Sequence, residues 1–172
     1  MQTPGPLGYN SNRDRPYLIR GRDDVNNSRE QAFMVAMRRD EASENSWDWF
    51  RYDALVGTLI HLGAILIEEQ RFSEAGKTLA EALNLLRLFA PSHPGSAVLK
   101  DQNRVHESIC LYNGAVLFLE YPAGSPGPDK RLVGLNLLRE ALSIHDSASG
   151  TVRERELYTR TDETLARVRS LA

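Results

Sequence analysis

A chain of 172 residues, 41% hydrophobic and 26% charged, has the size of one domain or a short repeat array, and its composition fits neither a disordered nor a fibrous protein. Its formal charge of −2, from 21 basic and 23 acidic side chains, supplies no excess positive field to hold a polyanion, so nucleic acid is not an expected partner. The lone cysteine, Cys110, cannot close an internal disulfide, and the longest apolar run, Leu59 to Ile67, is interrupted by His61 and Gly63. A reducing, cytoplasmic setting without membrane insertion is the expectation, with a cleaved import signal left open.

The basic residues are 18 Arg and three Lys, a bias that serves carboxylate pairing or reflects a GC-rich gene. Residues 1–27 read as an irregular arm, punctuated by Pro4, Gly5, Pro6, Gly8, Pro16 and Gly21, in which Tyr17, Leu18 and Ile19 could anchor the segment on a neighbouring surface. The remainder, 28–172, reads as one helical domain. Asn27 with Glu30, or Ser28 with Gln31, can open a helix through a capping box, and Ala32, Phe33, Ala36 and Met37 then share one face. That helix should end between Ala42 and Asn45. Ser46 is a candidate N-cap for a long helix to about Glu69 striped by Leu55, Leu59, Leu62, Gly63 and Leu66.

A tight turn at Gln70, Arg71 and Phe72 leads to a third helix capped by Ser73, with Ala75, Leu79, Ala82, Leu83 and Leu86 on its buried side. Pro91, Pro94 and Gly95 close it. Ser96 to Tyr121 has helical spacing through Val98, Val105, Ile109, Tyr112, Val116 and Leu119, and Pro122 to Asp129 is a loop. Asp129 caps a fifth helix with Leu135, Leu138, Ala141 and Leu142. A sixth, 151–171, opens on Thr151 and Glu154 and carries Leu157, Leu165 and Val168. No stretch alternates with period two for long enough to make a strand, so the fold class is all-α.

Leu59, Leu62, Gly63, Leu66, Ala75, Leu79 and Ala82 carry an internal-repeat pattern. Helix axes approach closely only where facing side chains are small, and here a glycine is followed after twelve residues by an alanine and after seven more by another. Over about residues 47–145 this pattern resembles the tetratricopeptide repeat family, with units at about 47–89 and 96–145 and the helix 151–171 as cap. The second unit is built on Gly114, flanked by Cys110 and Leu117, and on Gly134, Leu138 and Ala141. Gly63 and Gly114 are 51 residues apart, beyond the family period of about 34, a length that elongated helices and the 122–129 loop absorb.

The resemblance implies a binding scaffold whose concave face is lined by the first helix of each unit. Counting from the glycines, that face carries Gly57, Ile60, His61, Ala64 and Ile67, then Leu111, Tyr112, Ala115, Phe118 and Leu119. Family members that hold a chaperone's C-terminal carboxylate place Lys, Arg and Asn there, and this chain has none at those places. An apolar groove calls for the apolar face of a partner helix or peptide. The plainer reading is that the chain fills its own groove, with Phe33 and Met37 of the first helix or with the last helix. The aromatic cluster Trp47, Trp49, Phe50 and Tyr52 is either an interface anchor or an inter-helix joint.

His106, Glu107 and Cys110 echo a zinc helix but lack a third ligand at a recognisable spacing, and Cys110 is accounted for as a small residue at a helix crossing. No Glu lies three residues before a His, as di-iron bundles require, the 122–129 loop lacks the Gly-Lys-Ser/Thr ending of a phosphate cradle, and Glu68-Glu69 reads as a solvated face. No metal, cofactor or catalytic residue is expected. The favoured function is a non-catalytic adaptor holding a protein partner. The alternatives are a permanent structural subunit of a large cytoskeletal, axonemal or organellar assembly, and a metal-dependent enzyme.

Overall fold

The computed structural model describes residues 18, 25–44, 49–89, 97–120 and 130–146. These form five helices: α1 (Ser28–Glu44), α2 (Trp49–Glu68), α3 (Phe72–Phe89), α4 (Ala97–Glu120) and α5 (Lys130–Asp146). The described residues contain no strand, so the all-α class holds. The expected sixth helix, the caps at Ser46 and Asp129, and Trp47 lie outside them, as do the side chains of Trp49 and Phe50. Tyr52 packs half-buried against the core.

Each helix packs on its neighbour in sequence, and α2 also reaches α4. This puts α2 in the middle. Leu55, Val56, Leu59, Ile60, Leu62, Ala64, Ile65, Leu66 and Ile67 are all buried, as expected of a helix covered on every side. No helix of the described residues is long and apolar enough to cross a membrane.

The α2–α3 turn closes with two bonds of a Schellman motif: Arg71 N–H donates to Leu66 O (2.8 Å) and Gln70 N–H to Ile67 O (3.0 Å). Gln70 occupies the left-handed position at φ 61°, where a glycine is usual. Helix α3 begins at Phe72 and not after Ser73, because Ala75 N–H already bonds Arg71 O at 3.0 Å and Arg71 occupies the cap position.

The start of α1 is as the sequence suggests, with Asn27 Oδ1 accepting from Glu30 N–H at 2.9 Å. Its inward face is different. Ser28, Gln31, Val35 and Ala42 are buried, whereas Ala32, Phe33, Ala36 and Met37 face outward, with Phe33 67% exposed. The reason is polar. Gln31 Nε2 donates to Thr58 O on α2 (3.0 Å), and Ser28 N–H donates to Glu69 Oε1 (3.1 Å), which orients the helix around those contacts. Phe33 and Met37 therefore do not fill an internal groove.

Candidate functional site

Small residues place the helix crossings. A methyl group added at Gly63 would lie 2.6 Å from Leu79 Cδ2 and 2.8 Å from its Cγ, so α2 and α3 meet at the expected glycine, with Ala75 and Ala82 fully buried alongside. Between α4 and α5 the tightest point is Gly134, whose added Cβ would lie 2.6 Å from Leu119 Cγ and 3.3 Å from Phe118 Cβ. Gly114 leaves room, with Leu137 at 3.6 Å.

The expected concave residues fall within the interior of the chain. Ile60, His61, Ala64, Ile67, Leu111, Tyr112, Ala115 and Leu119 are all buried, and Phe118 is half-buried. Two of the expected positions meet named neighbours. His61 Nε2 donates to the carbonyl of Val25 (2.8 Å), just before α1; because a carbonyl only accepts, Nε2 carries the proton, and the buried Nδ1 has no hydrogen-bond partner among the described residues. Gly57 faces the imidazole of His106 on α4, at 3.8 Å from an added Cβ.

His106 on α4 meets Asp53 on α2. Its Nδ1 is 3.0 Å from Asp53 Oδ1, with both side chains largely covered, which joins α2 to α4. Among the described residues neither of these two buried atoms has a hydrogen-bond partner, so the pair is a close polar approach and not a hydrogen bond. Cys110, one turn further along α4, is buried, and burial pushes its thiol well above the ordinary range, with Glu107 adding to the effect. It is therefore a poor nucleophile. Among the described residues no three His, Cys, Asp or Glu side chains gather as a metal site.

The charged surface groups act as ties between helices. Arg87 on α3 reaches Glu140 on α5 (2.9 Å) and Glu107 on α4 (3.5 Å), and Arg39 on α1 pairs with Glu81 on α3. At the α2–α3 turn, Arg71 Nη1 donates to Ser28 Oγ (2.6 Å) while Nε and Nη2 grip both oxygens of Glu74 (3.0 and 2.6 Å).

Among the described residues, Leu88 on α3 and Leu132 and Val133 on α5 are exposed, and the outer face of α1 brings Ala32, Phe33, Ala36 and Met37 together, all exposed. Sequence periodicity found this face and left open whether it turns inward; the structure turns it outward. Neither a family model, nor a curated protein, nor a solved structure matches the chain.

Proposed function

We propose that the protein is a non-catalytic, tetratricopeptide-like interaction scaffold that engages a protein partner through the outer face of α1. The repeat reading is supported by Gly63 lying against Leu79, by the burial of Ala75 and Ala82, and by the burial of Leu138 and Ala141 at the matching positions of α5; the tight α4–α5 contact falls at Gly134 and not at Gly114, the counterpart of Gly63. The observation that carries the interaction reading is Phe33. A phenylalanine 67% exposed beside exposed Met37, Ala32 and Ala36 is an apolar surface patch of the kind that marks an interaction site. The positions expected to line a concave groove are occupied by the chain's own packing, and a helix entering at His61 would have to displace the segment leading into α1.

The test is affinity purification from the source organism with the wild-type chain and with the Phe33→Asp/Met37→Glu variant as baits. A protein held by the first and lost by the second, with the two baits melting at the same temperature, supports the reading. Equal recovery of partners by both baits overturns it.

A further inference from the structure

We infer that the partner seated on the outer face of α1 is a second copy of this chain, docked with the two α1 helices antiparallel about a two-fold axis; this rests on the α1 interaction reading above. The face runs Arg29, Phe33, Ala36, Met37, Asp40, at helical spacings that place all five opposite the buried Ser28, Gln31, Val35 and Ala42. Arg29 and Asp40 are both exposed, and neither side chain has a hydrogen-bonding or ion-pair partner among the described residues. The apolar stripe is thus bounded by a cation at one end and a carboxylate at the other, about 16 Å apart along the axis, neither engaged by another described residue.

Antiparallel pairing centred between residues 34 and 35 uses all of these groups. Arg29 of each copy meets Asp40 of the other, at both ends, and Phe33 lies over Ala36 of the other, so a large side chain enters the space left by a small one. Parallel pairing would put Arg29 on Arg29 and Asp40 on Asp40, so the charges select one orientation. Helix α1 packs chiefly against α2, and its outer face is exposed. A single 17-residue helix on each side makes an interface below the usual size of a permanent dimer, so the association is a micromolar one.

Sedimentation equilibrium of the full chain from about 1 to 200 µM reads this directly, since that range brackets a micromolar dissociation constant. The wild type should pass from monomer to dimer. Arg29→Asp and Asp40→Arg should each weaken the dimer by about tenfold or more, because like charges then face each other at both ends. An equimolar mixture of the two variants should dimerise again, since each heterodimer restores two opposite-charge contacts. Phe33→Asp should abolish the dimer. All three positions being exposed on α1, melting temperatures of the variants should stay within about 2 °C of wild type, which separates loss of docking from loss of fold. A wild-type chain that stays monomeric throughout overturns the second-copy assignment, as does a dimer indifferent to the charge reversals. If the monomeric wild type still loses an extract partner on Phe33→Asp/Met37→Glu, the α1 interaction reading survives and only the identity of the occupant falls.

Discussion

At single residues the packing is decided by whether a position has room for one methyl group. A Cβ at Gly63 would meet both Cγ and Cδ2 of Leu79, and one at Gly134 would meet Leu119 Cγ as well as Phe118 Cβ; neither obstacle is only the far end of a flexible chain. Helices must therefore separate or Leu must leave its rotamer. Gly63→Ala and Gly134→Ala should each destabilise by about 1–3 kcal/mol, the usual cost of overpacking. Gly114→Ala meets Leu137 only at ordinary contact distance, and there the better helix propensity of alanine should make the change neutral or stabilising by up to about 1 kcal/mol. Urea denaturation of the three variants checks the contrast. Equal effects at Gly114 and Gly134 would mean that the close approach of α4 and α5 is not where the structure has it. The sequence pattern alone cannot rank these two glycines, because both lie on apolar helix faces and only the position of Leu119 on the facing helix distinguishes them.

For whole helices, local pattern and long-range polar bonding compete, and α1 shows which prevails. The apolar stripe of α2 marks it as a long helix without identifying it as the central one, and the start of α1 is legible because Asn27 caps within three residues of itself. Which face of α1 turns inward is not legible. The bonds that decide it join Gln31 to Thr58 across 27 residues and Ser28 to Glu69 across 41, and no local spacing encodes either. The Glu69 carboxylate stands at the amino end of α1, where the helix dipole favours a negative charge. Its hydrogen bonding to Ser28, assisted by the neighbouring Arg71, holds its pKa below the ordinary glutamate value despite partial desolvation. A carboxyl group whose pKa is lower in the folded state stabilises the fold above its unfolded pKa of about 4.3, and that contribution fades as the pH falls through the folded value. Glu69→Gln keeps an acceptor for Ser28 and removes the charge. It should lower stability near neutral pH by at most about 1 kcal/mol, since the side chain is one-third exposed and solvent screens it. The difference from wild type should shrink below about pH 4 and vanish under full protonation. Parallel stability curves for the two proteins from neutral to acid pH would show that the carboxylate does not anchor α1.

For the molecule as a whole, the question is where the folded unit starts. Composition divides the chain at residue 27, with a Pro- and Gly-rich arm before it and helices after it. Two described contacts cross that division. Leu18 is 6% exposed and belongs to the hydrophobic core, and the carbonyl of Val25 accepts the buried Nε2–H of His61. The composition of the arm conceals both, since a single leucine among polar residues carries no periodicity and a backbone carbonyl carries no sequence signal at all. Their loss can be separated by where the chain is cut. Removing residues 1–24 takes away Leu18 but retains Val25, and it should cost about 1.5–3 kcal/mol, the burial energy of one leucine side chain. Removing residues 1–26 also strips His61 of its acceptor and leaves a buried donor unsatisfied, a further cost of about 1–3 kcal/mol. Against a typical total of about 5–15 kcal/mol for a domain, the second deletion should leave a protein still folded but markedly easier to unfold. Leu18→Ala in the full chain should reproduce much of the first loss without shortening the chain. Urea midpoints for the two deletions and the point variant decide the matter. The ordered series, wild type above the 1–24 deletion and that above the 1–26 deletion, is expected. Three midpoints equal to wild type would return the boundary to residue 27, where composition puts it.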